Sequence, residues 1–442
     1  MHIRRRTISF LSAVAIILSV AGIAGSVLLN PDRYRSQVVS YLETKTGHQI
    51  EVGHLDLAWK SASIELYDFG VRNPEPFPPG YVFRARKVRV RIRLAPLFHR
   101  RIVVKSVVLQ DPVINIISDP DGLWNFENPH ARSSAAPSLT AAQGTIDSVK
   151  IVGGQLFGSS LIDPSDRPGP VVLEMRDLSV SLANVNLDAF ADPQRTSAAA
   201  GDVGARSLRF GSIEVNRVKA KVRLSTKHVL FESVGVDADG GRASGQLEFN
   251  LAGKRAQFRV TARLVHLDVA DLLSSFPGAR GKMTGTLHGE ITLSGPIEHT
   301  ANPLAGIRGS GKLTVENGQL PSMNSADSLR KMMRFRQAAD AGKPASAFSY
   351  AASDLDLTGQ RMTNRDIDVA FYGFDLDCSG YLDLDKNENL AYQGMAKVLK
   401  KQGLMTNIFA ELFHEARNEN GKLVFPLRIT GTLGNPKFSV VD

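Results

Sequence analysis

Residues 87–94 read KVRVRIRL, and the alternation is complete: Val88, Val90, Ile92 and Leu94 fall on one side, Lys87, Arg89, Arg91 and Arg93 on the other. Side chains with a period of two describe a strand with one apolar and one polar face, and the same pattern wound on a helix would scatter its apolar residues around the cylinder. RVKAKVRL repeats it with Val218, Ala220, Val222 and Leu224, and AQFRVTARL repeats it more weakly with Phe258, Val260, Ala262 and Leu264. Helical signals are few, at Asp268 to Ser275, Ser325 to Ala338 and Leu404 to Ala416. They are too few to cover so many strands. A sheet with a bare apolar face packs on another sheet, curls on itself, or is covered from outside the chain. The expected architecture is therefore mainly β with few helices, and the strand pattern by itself leaves those three closures open. Val88, Val90, Ile92, Leu94, Val218, Val222, Leu224, Phe258, Val260 and Leu264 carry the apolar faces in question.

The N-terminus adds a second constraint. After Arg4, Arg5 and Arg6, the stretch from Thr7 to Leu29 carries no charge and no proline for 23 residues. As a helix it is about 34 Å long, enough to cross a hydrocarbon core with some tilt. A cleaved signal peptide is the competing reading, because AGIAGS offers small residues to a peptidase, but the run exceeds the usual apolar core of such a peptide. Read as a retained anchor, it keeps the arginines cytoplasmic and sends the chain from Asn30 onward across the membrane, which in a bacterium means the periplasm. An amphipathic helix follows: Asn30 caps it, Pro31 sits in its first turn, Gly47 stops it, and Tyr34, Val38, Tyr41 and Leu42 share a face.

The net charge of +9 comes from one place. Between Gly80 and Lys105 lie nine Lys or Arg and no acid, which accounts for the whole excess. So local a patch near a membrane anchor argues against nucleic acid. For the stripe Lys87, Arg89, Arg91 and Arg93 two readings stand, a solvated strand face and contact with phosphate headgroups.

Chemistry-bearing motifs are absent or incomplete. The lone Cys378 excludes an internal disulfide and a Cys-cluster metal site. The ten histidines form no H-E-x-x-H, and no G-x-S-x-G is present. Gly306, Gly311 and Lys312 have phosphate-loop spacing, but Leu313 stands where a metal-binding hydroxyl belongs, and KLTVENGQL reads as a strand ending in an Asn-Gly turn. Gly-Lys recurs at Gly281 and Gly421, as if it punctuated hairpins. Asp354, Asp356, Asp366, Asp368, Asp375, Asp377, Asp383 and Asp385 alternate with apolar residues as on solvated strand faces. Asp383, Asp385 and Asn387 start like a calcium loop, but Glu388 and Gly394 stand at the positions for its glycine and bidentate glutamate. The helix ADSLRKMMRFRQAA, with Leu329, Met332 and Met333 together, suits core packing better than a membrane surface. No cofactor, metal or catalytic residue is expected.

The expected organisation is an anchor over 1–30, a helix and β region over 31–130, a linker-rich middle with short strands over 131–205, and a β-repeat region over 206–442. ARSSAAPSLTAAQG at Ala131 and ADPQRTSAAAGD at Ala191 read as linkers. In this order the segments resemble the AsmA-like family of bacterial envelope proteins, itself related to bridge-like lipid transfer proteins. The resemblance rests on TKTGHQIEVGHLDLAW, SIELYDFGVRN, and the basic segment with Pro96-Leu97, Asp111-Pro112 and Gly122, Trp124 and Asn125. It continues with VDADGGRASGQLEFNL, IRGSGKLTVENGQL and FPLRITGTLGNPKFSVVD. It implies a non-enzymatic protein, anchored once in the inner membrane with a periplasmic body, that acts in outer-membrane biogenesis. It also implies an elongated, curled antiparallel sheet forming an apolar groove, for which the apolar strand residues from Val88 to Leu264 named above are the candidate lining; the partners would be that membrane, phospholipid held along the groove, and other envelope proteins. Assistance to outer-membrane protein assembly without lipid transport is the alternative, and a hydrolase using the Asp pairs is a third reading with little behind it.

Overall fold

Period-two patterning prevails over nearly all of the chain that can be described. The computed structural model describes residues 35–58, 61–93, 96, 103–119, 124–126, 144–160, 173–187, 198–210, 213–225, 227–238, 240–252, 256–274, 280–296, 306–321, 344, 346–372, 374–384, 388–399, 417–419, 422–433 and 435–440. The apolar run at 7–29, Leu94, the helices expected at 325–338 and 404–416, and most of both linkers lie outside these residues. Among the described residues, no helix is long and apolar enough to cross a membrane. The chain is mainly β, and it divides into two compact units. One comprises Met1–Val236, Gln246–Phe258 and Ile297–His299; the other comprises Asp237–Gly245, Arg259–Pro296 and Thr300–Asp442.

The first unit opens with a helix, Arg35–Thr46. Gly47, at a φ of 70°, ends it as a left-handed glycine cap does, with its N–H on the Glu43 carbonyl at 2.7 Å. Val38 and Leu42 pack into the core; Tyr34 and the Tyr41 side chain lie outside the described set. The strands are β1 (Ile50–Glu51), β2 (His54–Ala58), β3 (Ser63–Arg72), β4 (Tyr81–Ile92), β5 (Val104–Ser118), β6 (Thr145–Ser160), β7 (Leu173–Asn186), β8 (Ala199–Phe210) and β9 (Ile213–Leu224). Both β1 and β2 pair with β3, and the ladder then runs in sequence order from β3 to β9.

The expectation of a purely antiparallel sheet fails at one pair: β5 and β6 run parallel, with Val107 beside Val149 and Leu109 beside Ile151. Parallel neighbours need a long crossover instead of a tight turn. The Ala131 linker supplies it, since that segment falls between these two strands. The middle region also differs from the short strands expected of it, because β6 has 16 residues and β7 has 14. Register slips at Gly154, and Asp177 takes a φ of 53° nearby; such bulges bend a strand, sharpen its twist and hide its alternation from a sequence reading. Within the second expected linker, Ala199 to Asp202 already belong to β8, which runs on to Phe210 across the expected boundary at 205.

Three strands, β10 (His228–Ala238), β11 (Gly241–Asn250) and β12 (Gln257–Asp268), contribute residues to both units. A helical turn, Val269–Ser274, follows β12, with Asp268 Oδ1 accepting the Asp271 N–H at 3.0 Å as a cap. In the second unit β13 (Thr284–Pro296), β14 (Arg308–Gln319), β15 (Ala347–Thr358), β16 (Arg361–Phe371), β17 (Phe374–Asp383) and β18 (Asn389–Leu399) form an antiparallel meander. Beyond β18 comes β20 (Lys422–Thr432), along whose other side lie β19 (Arg417–Glu419) and β21 (Asn435–Val440).

Gly311 and Lys312 lie in the middle of β14, paired on both sides, so here Gly-Lys does not open a hairpin. Nor do Asn317 and Gly318 form a turn. They make a bulge inside β14, Asn317 at a φ of 50°, and the Phe348 ring lies where a Cβ on Gly318 would stand, 2.1 Å from that position. Close approach of an aromatic ring, rather than chain reversal, requires this glycine.

Candidate functional site

The candidate groove residues separate into two groups. Val88, Val90 and Val222 are buried in the core of the first unit, with Val90 fully inaccessible, Ile92 and Leu224 pack against the same cluster, and Val218 is buried on β9 outside that cluster. Val38 and Leu42 of the helix join Ile64, Leu66, Val107 and Leu109 there. This part of the apolar face is covered by the protein itself. Phe258, Val260 and Leu264 on β12 are half-buried, Leu264 against the core of the second unit.

An open apolar surface occurs in the second unit, at residues that the strand alternation did not single out. Phe348, Phe371, Phe374, Leu376, Ala396 and Phe425 form a closed core on one part of the sheet face. Further along the same face, Ile291 and Leu293 of β13 stand across Gly311 and Gly309 of β14 from Leu355 and Leu357 of β15, and Met362 of β16 is paired with Leu357. All five apolar side chains are only half-buried, whereas Leu382 and Leu390 beyond them are buried.

Between the closed core and this open strip runs a row of polar side chains. Tyr392 of β18 and Asn364 of β16 are both paired with Gly380 of β17. The Tyr392 ring lies against Gly380, where an added Cβ would sit 2.8 Å from its Cδ1. Its hydroxyl donates to Asn364 Oδ1 at 2.8 Å, and Asn364 Nδ2 donates to Ser353 Oγ on β15 at 2.7 Å. Asn364 is 5 % exposed, and burial pushes the Tyr392 phenol well above its ordinary range. Cys378, two residues before Gly380 on the same face, packs on the closed core; burial, with Asp377 adding to it, pushes its thiol up to about 12, which leaves it without thiolate character at neutral pH.

The basic stripe on β4 is engaged inside the molecule. Glu65 of β3, 8 % exposed at its side chain, accepts from Lys87 and Arg89, both at 2.6 Å, and from the Tyr67 hydroxyl at 2.8 Å. Burial pushes the Glu65 carboxyl up, but the hydrogen bonds from Lys87, Tyr67 and Arg89 outweigh it and hold the group at about 2. Arg93 pairs with Asp147 at 2.5 Å. Of the four cations considered for headgroup contact, Arg91 alone is exposed without an ion pair among the described residues. The sequence could not reveal this, because Glu65 lies on the preceding strand, 24 residues from Arg89, and only register brings it under Lys87 and Arg89.

The aspartates behave as strand-face residues. Lys312 pairs with Asp354 at 3.2 Å, Arg365 with Asp356 at 2.5 Å, Arg361 with Asp383 at 2.7 Å, and Lys397 with Asp377. Burial, then the neighbouring Asp377, Asp375 and Asp366, raise the Asp368 carboxyl. No cluster of three or more metal-ligating side chains occurs among the described residues; 385–387, which complete the abortive calcium loop, lie outside them.

Asn125, fully buried, closes the end of β5. Its Oδ1 accepts the Ile117 N–H at 3.0 Å, while its Nδ2 donates to Asn73 Oδ1 and to the Asn115 carbonyl, both at 2.9 Å. The Trp124 and Phe126 rings stack on either side of it in sequence, 5.7 Å apart. The Trp-Asn pair quoted from the sequence is thus a structural clasp.

Comparison with known proteins gives two findings. Residues 2–199 match the AsmA family. The chain is also 24 % identical over 373 residues to a protein of Escherichia coli (strain K12), Protein AsmA, an alignment that covers 74 % of this chain and 59 % of that relative.

Proposed function

Because the chain is AsmA-like, we propose that it is a non-enzymatic envelope protein that binds or moves phospholipid along the apolar face of its sheet, in the service of outer-membrane biogenesis. In this reading 7–29 anchor it once in the bacterial inner membrane and the body works in the periplasm, against that membrane and with other envelope proteins as partners. The observation that carries the reading is the half-buried strip of Ile291, Leu293, Leu355, Leu357 and Met362. Each methylene that an acyl chain buries there contributes about 0.8 kcal/mol, so a strip of a few side chains can hold a chain without any charged contact. The aspartates support the non-enzymatic part, being spread along ladders and paired with Lys or Arg instead of converging on a cleft.

The chain spans 59 % of the relative's length, so activity of a whole relative is part of the proposal. A second reading, a scaffold for outer-membrane protein assembly with a filled core, is favoured by the closed face around Val88 and Val90. Mass spectrometry of lipids extracted from the purified full chain separates the two. The proposal expects stoichiometric glycerophospholipid that is lost in Ile291→Asp and Leu357→Asp with the fold intact; protein free of lipid leaves the scaffold.

A further inference from the structure

A hydrogen-bonded polar row on an otherwise apolar face needs a reason, since burying amides and hydroxyls among hydrocarbon is unfavourable unless every partner is in place. Tyr392 donates to Asn364, Asn364 donates to Ser353, and the Ser353 hydroxyl donates in turn to the Asp354 carbonyl at 3.1 Å. Gly380 is what lets Tyr392 reach across a strand to do so. The row stands where the closed core ends and the open strip begins. Asn364 Nδ2 has given one hydrogen to Ser353 Oγ, and among the described residues its second one has no acceptor. Tyr392, by bonding Oδ1, fixes the amide so that this hydrogen keeps its direction.

Resting on the lipid-binding reading, we infer that Asn364 is the point at which a bound acylglycerol places an ester carbonyl, with Tyr392 and Ser353 as positioning residues and the acyl chain lying over Leu355, Leu357, Met362, Ile291 and Leu293. An ester carbonyl accepts hydrogen bonds and donates none, which matches a row with one donor to spare. The open part of the apolar face lies on one side of the row and the closed core on the other, so the row sets how far along the face a chain can slide. The chemistry selected is an acyl ester, whatever headgroup it carries.

The test uses the purified full chain and two fluorescent probes, a pyrene-labelled diester phosphatidylglycerol and its diether analogue, which has the same chains and headgroup but no carbonyl. Wild type is expected to bind the diester about tenfold more tightly, the worth of one well-placed hydrogen bond. Asn364→Ala should abolish that preference while leaving diether affinity within about twofold, and Tyr392→Phe, which keeps the ring, should reduce it about threefold by freeing the amide to turn. Equal affinity of wild type for both probes overturns the inference and leaves lipid binding standing. A parallel fall for both probes in the variants, with a lowered Tm, also overturns it, since the row would then serve the fold alone. Failure of wild type to bind either probe removes the lipid reading and this inference together.

Discussion

Each of the two units presents an apolar sheet face, yet they close it differently. In the first, the helix Arg35–Thr46 lays Val38 and Leu42 into a cluster that runs from Ile64 and Leu66 through Val88, Val90 and Val107 to Val222. In the second, the phenylalanine-rich core ends at the row Ser353, Asn364 and Tyr392, beyond which Ile291, Leu293, Leu355, Leu357 and Met362 stay half-buried. Alternation alone is the same in both. What separates a core from an open strip is whether another element covers the face, and that is decided by tertiary packing, which a period of two cannot encode.

The sharpest way to break this comparison is to place the same charge in both faces. Val90→Asp, at a site with no accessible surface, should cost about 4 kcal/mol or more, a large part of a domain's whole stability, and Val222→Asp should behave similarly. Ile291→Asp, at a half-open position where the carboxylate can reach water, should cost about 1 kcal/mol. Denaturant unfolding of the three variants decides it. Equal losses at Val90 and Ile291 would mean that the two faces are closed alike and that the open strip does not exist.

The next effect lies on the opposite face of the first unit. With its carboxyl held at about 2 against an ordinary 4.5, Glu65 contributes stability that is fully present above about pH 4.5 and is lost as pH falls toward 2. The full shift corresponds to about 3 kcal/mol. Glu65→Gln should therefore destabilise the protein by about 2–3 kcal/mol at neutral pH, because Lys87 and Arg89 are left facing a neutral amide. It should also flatten the acid limb of the stability curve between pH 4.5 and 2. In the second unit Asp383, whose carboxyl is lowered by the hydrogen bond from Arg361, should show the same sign on Asp383→Asn but a smaller change, its partner being more than half exposed. A larger acid effect at Asp383 than at Glu65 would reverse the ranking of the two charged faces.

The mainly β class and the individual strands β4, β9 and β12 were legible because KVRVRIRL, RVKAKVRL and AQFRVTARL keep an unbroken period of two. The length of β6 and β7 was not, since the register slip at Gly154 and the left-handed Asp177 shift the pattern by a residue and make one long strand look like fragments. The same device hid the polar row. In RMTNRDIDVAF the ladder slips between Asn364 and Ile367, so Asn364 reads as a surface residue beside Arg365 when it is in fact on the apolar face. Parallel pairing of β5 with β6 left its trace only as a linker too long for a hairpin. The ion pairs of Lys87 and Arg89 required knowing that β3 lies beside β4 in one register, which the composition of neither strand dictates.

The smallest expected effect is the most direct check on the charged face of the second unit. Lys312 sits on β14 between two neighbours, opposite Glu290 on one side and Asp354 on the other, and its ion pair with Asp354 is mostly exposed at both ends. Exposed pairs of this kind contribute little, so Lys312→Ala should change stability by no more than about 0.5 kcal/mol. A phosphate-binding loop also needs backbone amides turned toward the ligand and free to bond it. Around Lys312 the chain is an interior strand whose ladder partners run on both sides from Gly309 to Leu313, so those amides are committed to the sheet or point along it. Calorimetric titration with magnesium ATP should accordingly give no binding to wild type or to the variant. Micromolar affinity in wild type, abolished by Lys312→Ala, would require β14 to leave the sheet and would end the comparison of two sheet-built units.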